Sequence, residues 1–158
     1  QGDQLMPHRT LARPREAFLS HSARDRAFVK KLAQELKLHG VRSWHSEAHI
    51  VGAQQWHDAI GNALARCDWF LLILSPHAVR SKWVKRELLY VLQEDRYSDR
   101  IVPILRKPCD HSRLSWTLAS FQMVSFAGGF EVGCRSLLRV WGLGGTASTP
   151  PQRQPHTG

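Results

Sequence analysis

The chain has 158 residues, of which 42% are hydrophobic, and this is enough for one domain with its own core. It carries 22 Lys and Arg residues against 13 Asp and Glu residues, and the formal charge of +9 favours anionic partners such as nucleic acid, acidic membranes or phosphorylated small molecules. The longest clear apolar run, Trp69–Leu74, is too short for a membrane helix, and the first residues lack the apolar core of a signal peptide. With three widely spaced cysteines, we expect a cytoplasmic chain with reduced thiols.

The two ends of the chain differ from its middle in composition. Residues 1–14 mix Pro, Arg, His and Gly without periodicity and are interpreted as a tail. Residues 143–158 are rich in Pro, Gly and Thr and are interpreted as a flexible linker. The domain is therefore expected within residues 15–142, and the chain could be one module of a longer protein.

In the first part of the domain, short apolar runs alternate with segments of helical spacing. Ala17–Ser20 is predicted as a buried strand, followed by Ser22 and Asp25 in a capping-box arrangement. The next helix is predicted from apolar residues at helical spacing, namely Phe28, Val29, Leu32, Ala33 and Leu36. Gly40 favours the end of this helix, and Val41–Trp44 is predicted as a second strand.

The middle of the domain repeats the same alternation. A helix is predicted with Trp56, Ile60, Ala63 and Leu64 on one side. Trp69–Leu74 is apolar throughout, which is typical of a central strand covered on both faces of a parallel sheet. Ser81 is a good N-cap for a helix that is predicted to run to about Glu94, with a core stripe of Val84, Leu88, Val91 and Leu92.

Two further strands and one helix complete the prediction. Ile101–Leu105 is predicted as a strand near a sheet edge, because Pro103 has no backbone donor. Phe121–Phe126 is the last predicted strand, after a loop with a short helical turn. Glu131–Trp141 is predicted as the closing helix, with Val132, Leu137, Leu138 and Trp141 directed inward.

Strands that alternate with helices indicate a parallel sheet with helices on both faces, in which ligands bind at the carboxyl ends of the strands. The segment from Ser81 to Glu87 begins the helix that follows the central strand, so it is expected at this edge. Trp83 and Glu87 are one helical turn apart and share a face. They could stack a flat ligand and offer it a carboxylate, or they could be a half-buried Trp beside a solvated Glu.

Five segments, in consistent order over about residues 16–141, resemble the TIR (Toll/interleukin-receptor homology) domain. They are Ala17–Asp25 with Phe28 and Val29, Gly40–Trp44, Gly52 with Trp56 and the helix to Leu64, Ala65–Ser75, and the Ser81-x-Trp83-x-x-x-Glu87 motif. The resemblance implies a flavodoxin-like fold, an α/β three-layer sandwich with a five-stranded parallel sheet.

The family resemblance also implies two possible functions. Some members are signalling adaptors that only self-assemble. Others cleave NAD+ at the nicotinamide–ribosyl bond, as glycohydrolases or as ADP-ribosyl cyclases, in signalling or immune defence, with activity that can depend on oligomerisation. The essential residue of these enzymes is the Glu of the S-x-W-x-x-x-E motif, which is Glu87 here, with Ser81 and Trp83 as its companions.

Further substrate-binding residues follow from the same resemblance. Phe18 and Ser20 match the strand end that lines the nucleotide cleft of the family, and His21 lies next to it. The segment Trp44–Gly52 matches the mobile loop that covers the cleft or contacts a neighbouring domain. The family often has an acidic residue two positions after this Trp, whereas Ser46 stands here with Glu47 beside it, and this departure bears on the hydrogen bonding of the loop.

The chemistry of NAD+ cleavage fits a site with a single carboxylate. The nicotinamide already carries positive charge and leaves without protonation, so no general acid is required. One carboxylate near the ribose can stabilise the developing oxocarbenium charge, hold the ribose hydroxyls and orient a nucleophile, unlike the two-carboxylate arrangement of common glycosidases. Backbone N–H groups after Ser20, at a helix N-terminus, could hold the pyrophosphate.

Plainer readings exist for most of these residues. Ser22 can simply cap its helix, His21 can face solvent, and Phe18, Trp44 and Trp56 can be ordinary core residues. Three histidines, His45, His49 and His57, lack Cys or Asp at ligand spacing, so no metal site and no cofactor besides the NAD+ substrate are expected. The expected partners are NAD+, other TIR domains and a fused or separate sensor domain. Nucleic-acid binding is the weakest hypothesis, because it rests on net charge alone.

Overall fold

Five parallel strands lie at the centre of the computed structural model, which describes residues 12–46 and 52–143. They are β1 (Glu16–Ser20), β2 (Arg42–Trp44), β3 (Trp69–Leu74), β4 (Ile101–Leu105) and β5 (Val124–Ser125), in the spatial order β2-β1-β3-β4-β5. Most of the predicted N-terminal tail, all of the predicted linker except residue 143, and the middle of the loop after Trp44, with Glu47 and His49, lie outside the described residues.

The helices form a layer on each face of the sheet. They are α1 (Arg26–Leu38), α2 (Ala53–Arg66), α3 (Lys82–Gln93) and α4 (Phe130–Val140). The apolar faces of α1 and α4 pack on one side of the sheet, and those of α2 and α3 pack on the other. The predicted three-layer flavodoxin-like α/β fold is confirmed, and every residue of β3 is buried, as expected of a central strand.

The predicted end of α1 at Gly40 is confirmed by its hydrogen bonds. The N–H of Gly40 donates to the carbonyl of Lys37 at 3.0 Å, and the N–H of Val41 donates to the carbonyl of Leu36 at 2.9 Å. These are the two bonds of a Schellman motif, and they place Gly40 at a φ of 77°. A residue with a side chain would be strained there.

The beginning of α1 differs from the prediction at Asp25. Ser22 does cap the chain, because its Oγ accepts a hydrogen bond from the N–H of Arg24 at 3.3 Å, but the cap serves a 3-10 turn over Ala23–Asp25. The carboxylate of Asp25 does not complete a capping box. It is buried and bound instead by side chains from the ends of two other strands.

The prediction from Pro103 that this strand lies near a sheet edge is confirmed, because β4 is next to the edge strand β5 and pairs with β3 on its other side. The N–H of Arg106 donates to Leu74 of β3, so by alternation the missing N–H of Pro103 would face β5. There β5 pairs only with Ile104 and Leu105, beyond the proline. The strand can therefore be internal without losing a ladder hydrogen bond at Pro103.

The last strand and helix show two more differences. β5 has two residues, Val124–Ser125, rather than the six predicted in Phe121–Phe126. Leu137 and Leu138 of α4, and Trp141 at its C-cap, face the core as predicted, but Val132 is 43% exposed. Gly133 occupies the inward position instead, because the ring of Phe126 fills the space where a side chain would lie.

Candidate functional site

The site is built on the first turns of α3. Ser81 caps the helix as predicted, because its Oγ accepts a hydrogen bond from the N–H of Val84 at 3.3 Å. The predicted core stripe is confirmed, with Val84, Leu88 and Val91 buried and Leu92 packed against them. Burial of this stripe fixes the rotation of α3 about its axis. Trp83 and Glu87 consequently point along the side of the helix that meets β1 and α2.

Glu87 is a buried carboxyl group with no charged partner. It is 9% exposed, and no ion pair found within residues 12–46 and 52–143 includes it. Loss of water around the carboxylate raises the pKa of Glu87 to about 8. The hydroxyl of Ser20 lies close enough to lower this pKa somewhat, although Ser20 Oγ has no described partner within full hydrogen-bond geometry. An acid that is buried without a cation is a costly arrangement, and such groups concentrate at functional sites.

A cavity of about 690 Å³ opens in front of Glu87, in the size range of small-molecule sites. It lies between the turn after β1, the segment before and within α2, and the turn after β3. These are the carboxyl ends of the strands, where parallel sheets bind ligands. The lining residues are Leu19, His21, Ser22, Ala23, Arg24, Arg26, Ser46, Trp56, His77, Arg80, Ser81, Lys82, Trp83 and Glu87.

The cavity is strongly cationic apart from Glu87. Arg24 and Arg80 lie in the turns before α1 and α3, and Arg26 and Lys82 are the first residues of these two helices. Arg26 Nε is buried and has no hydrogen-bond partner among the described residues. A buried, unpaired guanidinium N–H beside a cavity favours an anionic ligand, and phosphate oxygens suit guanidinium groups well.

His21 adds a neutral polar group to this wall. Burial lowers the pKa of His21, and the nearby His45 and Arg26 lower it further. Its Nδ1 lies 3.1 Å from the carbonyl oxygen of Leu19, which can only accept. Nδ1 therefore carries the proton of the neutral ring, and Nε2 can accept a hydrogen bond.

Two tryptophans form the aromatic side of the cavity. Trp56 of α2 and Trp83 of α3 are in edge-to-face contact, and Trp83 is 42% exposed. The Nε1 of Trp56 donates a hydrogen bond to Ser46 Oγ at 3.0 Å. Trp56 packs against the core, as one interpretation of the sequence expected, but it is only half-buried and also lines the cavity. Ser46, the departure from the family pattern, provides the hydrogen bond that anchors the start of the loop.

The structure brings together only part of the predicted site. His21, Ser81, Trp83 and Glu87 line the cavity, and Ser20 lies beside Glu87. Four predicted residues are not among those that line it, namely Phe18, Ser20, Trp44 and Gly52. Phe18 is buried between Trp44 and Phe70, with ring centroids 5.1 and 5.5 Å away, and Gly52 is exposed at the start of α2 with a φ of 95°. Their role in substrate binding stays a prediction.

A second, mostly apolar cavity of about 320 Å³ lies between α2 and α3. Trp83 and Glu87 line this cavity as well, so their side chains separate the two spaces. The remaining lining residues are His57, Ile60, Gly61, Leu64, Arg86 and Tyr90.

Within the described residues no group of three His, Cys, Asp or Glu side chains is placed to hold a metal ion. His45 contacts the ring of His21, whereas His57 lines the second cavity and His49 lies outside the described residues. Cys67, Cys109 and Cys134 are free thiols. The described helices include none that is long and apolar enough to cross a membrane.

Sequence reasoning missed five cationic or imidazole residues of the cavity, namely Arg24, Arg26, His77, Arg80 and Lys82. The net charge of +9 was interpreted only as a general preference for anionic partners, and none of these residues was assigned to the cleft. The signal that could have found them is their position. Each lies in the segment that leads from the carboxyl end of β1 or β3 to the first residue of the next α-helix, where a side chain can reach the cleft.

The sequence profile of the family described as "TIR domain" matches residues 17–138. The chain belongs to the TIR domain family. One relative of this TIR domain is the NAD(+) hydrolase PdTIR of Paracoccus denitrificans, with 30% identity over 62% of this chain and 33% of the relative. Another is the 2' cyclic ADP-D-ribose synthase BtTIR of Bacteroides thetaiotaomicron, with 25% identity over 57% of this chain and 32% of the relative.

A solved structure agrees with this assignment at the level of the fold. The TIR domain of the Toll-related receptor TRR-2 from Hydra magnipapillata superimposes with a TM-score of 0.58 at 17% identity, over 78% of this chain and 87% of that one. The matched regions span about a third of the length of PdTIR and BtTIR. This TIR domain therefore corresponds to one part of those relatives.

Proposed function

We propose that this TIR domain is an NAD+ nucleosidase that cleaves the bond between nicotinamide and ribose, with Glu87 as the catalytic residue. One observation carries the proposal, namely a buried carboxyl group without a cationic partner at the wall of a cavity that is otherwise rich in cations. A structural carboxylate in this setting would be expected to pair with one of the nearby arginines. Relatives named as NAD(+) hydrolases, at 30% identity or slightly less, support the same reaction.

The proposed chemistry needs Glu87 in its ionised form. As the bond to nicotinamide breaks, positive charge develops on the ribose, and a carboxylate in a dry site stabilises that charge more strongly than water would. The nicotinamide leaves as a neutral molecule, so no proton has to be supplied. The positive nicotinamide ring of the bound substrate also favours ionisation of Glu87, which offsets part of the effect of burial.

The other cavity residues are assigned to binding. Arg24, Arg26 and Arg80 offer guanidinium groups to the pyrophosphate, with two negative charges to be neutralised. Trp83 provides a flat apolar surface beside Glu87 against which an aromatic ring can pack. His21 can accept a hydrogen bond from a hydroxyl of the substrate through Nε2.

The product and the biological setting belong to the proposal as well. PdTIR is named as a hydrolase and BtTIR as a cyclic ADP-D-ribose synthase, so both linear and cyclic ADP-ribose have to be measured. We expect a cytoplasmic role in signalling or defence, self-association with other TIR domains, and a fused or separate sensor domain.

A non-enzymatic adaptor is the second candidate function. Leu89 and Tyr90, both on α3, are 44% and 45% exposed. Large hydrophobic side chains grouped on one helix favour a contact with another protein. An adaptor of this kind would release no nicotinamide, even when assembled, and would lose assembly when Leu89 and Tyr90 are both changed to Ser.

The deciding experiment measures nicotinamide release from NAD+ by wild type and by Glu87→Gln. Gln is close in size and keeps the neutral character of the buried site, so the variant is expected to fold. We expect loss of at least about 100-fold in kcat. The matched control is Glu94→Gln, one residue past the end of α3, which should have wild-type turnover. Turnover by Glu87→Gln equal to that of wild type would contradict the proposal. So would a lack of turnover by wild type at both low and high protein concentration.

A further inference from the structure

Asp25 is a buried acid with no part in the chemistry described above. It is 1% exposed and lies in the turn between β1 and α1. Its Oδ2 accepts a hydrogen bond from Ser75 Oγ at 2.5 Å, and its Oδ1 forms an ion pair with Nη1 of Arg106. Ser75 directly follows β3, and Arg106 directly follows β4. One carboxylate therefore joins the carboxyl ends of β1, β3 and β4.

Ser75 and Arg106, the two partners of Asp25, each make further contacts with other residues. Ser75 Oγ also accepts a hydrogen bond from the N–H of Ala78 at 3.1 Å, which fixes the turn that leads to α3. The backbone N–H of Arg106 donates to the carbonyl of Leu74 at 3.0 Å. The guanidinium of Arg106 lies over the ring of Phe28, with its carbon 5.1 Å from the ring centroid. These contacts leave Asp25 little freedom to move relative to either segment.

The two segments that Asp25 joins carry the cations of the cavity. Arg24 and Arg26 flank Asp25 in the chain, and Arg80 and Lys82 follow the turn that starts at Ser75. Like charges on facing segments repel each other, and a buried carboxylate between the segments opposes this. None of Asp25, Ser75 and Arg106 is among the residues that line the cavity, so they can act on a ligand only through their neighbours.

We propose that Asp25, with Ser75 and Arg106, is a positioning unit that sets the spacing of the two cationic segments to suit a pyrophosphate. This role rests on the proposed function, because the ligand is taken to be the ADP-ribose part of NAD+. The three residues of the unit touch neither the substrate nor Glu87. Small displacements of binding groups from their productive geometry can reduce activity by as much as 100-fold, so a change in this spacing has a measurable effect on affinity.

The test uses Asp25→Asn, which keeps the size of the side chain and removes its charge. Binding of ADP-ribose, which has the pyrophosphate but no bond to nicotinamide, is measured by calorimetry. We expect the Kd for ADP-ribose to rise about tenfold. For NAD+ turnover, KM is expected to rise by a similar factor while kcat stays within about twofold. A purely structural role would give the opposite pattern, because a smaller folded fraction lowers the apparent kcat and leaves KM unchanged.

The matched control is Glu16→Gln. Glu16 also lies on β1 and pairs with an arginine, since its Oε2 is 2.6 Å from Nε of Arg66, but at the other end of the strand. This variant should keep the wild-type Kd and KM. If Asp25→Asn does not fold, Ser75→Ala and Arg106→Lys test the same unit with smaller changes, and Arg106→Lys should weaken binding less than Arg106→Met.

The outcomes separate this role from the proposed enzyme activity. ADP-ribose binding that is weakened by Asp25→Asn, without NAD+ turnover in wild type, supports the positioning unit and contradicts the enzyme. Wild-type affinity for ADP-ribose in all folded variants contradicts the positioning unit alone. No binding of ADP-ribose to wild type contradicts the positioning role, and so does an Asp25→Asn variant in which kcat falls and KM is unchanged.

Discussion

Ser20 and Glu87 lie next to each other between β1 and α3, and both are buried. The hydroxyl of Ser20 can stabilise the ionised carboxyl, and it lowers the pKa of Glu87 against the larger effect of burial. Ser20 Oγ has no described partner within full hydrogen-bond geometry, so it is available to turn toward a carboxylate when one forms. Through this hydroxyl, the end of β1 can affect the ionisation of Glu87, on which the proposed catalytic step depends.

The first prediction concerns the pH dependence of activity. If the ionised form of Glu87 is required, kcat/KM for NAD+ should rise about tenfold per pH unit on the acid side and level off above about pH 8. The midpoint for kcat should be lower, because bound NAD+ brings positive charge near Glu87. Ser20→Ala should move both midpoints to higher pH. A profile that is flat from pH 6 to 9, or one that Ser20→Ala moves to lower pH, would exclude this assignment.

The second prediction concerns stability. Glu87 has a folded-state pKa of about 8 against an ordinary value of 4.5, so between these values the folded state holds a proton that the unfolded state has lost. Its contribution therefore makes the free energy of unfolding fall as pH rises, by at most about 1.4 kcal/mol per pH unit. Glu87→Gln lacks this contribution and should gain stability over wild type between about pH 5 and pH 8.

This gain is measured by chemical denaturation of both proteins across the pH range. The contributions of all other titrating groups cancel in the difference between the two free energies of unfolding. Above about pH 8 the difference should stay constant. Parallel curves for wild type and Glu87→Gln would mean that Glu87 ionises in the folded protein as it does in water.

The third prediction tests the cationic wall. Arg80→Gln should raise KM for NAD+ about tenfold, because a charge-assisted bond to phosphate is lost, and should leave kcat nearly unchanged. Lys85→Gln is the control, since Lys85 is exposed in the first turn of α3, five residues after Arg80, and does not line the cavity. Equal effects of the two variants on KM would show that overall charge matters and the position of Arg80 does not.

The fourth prediction concerns the hydrogen bond between Trp56 and Ser46. Ser46→Ala removes the acceptor and should raise KM a few-fold, because the bond is worth about 1 kcal/mol and holds the start of the loop against α2. Ser46→Thr keeps the hydroxyl and should behave as wild type. If both variants raise KM equally, the size of the side chain and not the hydrogen bond is responsible.

The fifth prediction compares two glycines in helices. A Cβ on Gly133 would overlap the ring of Phe126, so Gly133→Ala should destabilise the protein by about 1–3 kcal/mol. Gly61 has open space around its Cα, and Gly61→Ala should stabilise α2 by about 0.5–1 kcal/mol. Thermal unfolding of the two variants checks this, and shifts of the same sign would contradict it.

Local sequence patterns predicted most helices and strands correctly. Features that depend on contacts between residues far apart in the chain could not be predicted. The continuous apolar run Trp69–Leu74 indicated a central strand, and Ser81 indicated the start of α3, because each signal depends on adjacent residues. The role of Asp25 could not be predicted in this way. Its partner Arg106 is 81 residues away in the chain, so a local capping pattern was the only visible explanation.

The burial of individual side chains could not be predicted from the sequence either. Val132 has the right spacing for an inward face of α4, but the ring of Phe126 requires Gly133 there and leaves Val132 in solvent. Similarly, Arg96 was not singled out, although it donates to the carbonyls of Ala65 and Cys67 at the end of α2. Such contacts depend on which elements become neighbours after folding.

Both edges of the sheet are short, with three residues in β2 and two in β5. An added strand would find few free backbone donors and acceptors along these edge strands, which disfavours polymerisation by extension of the sheet. Filaments or rings of such domains are therefore expected to be joined mainly by side chains. With a formal charge of +9 on each chain, their assembly should be favoured by salt or by a polyanion that reduces mutual repulsion.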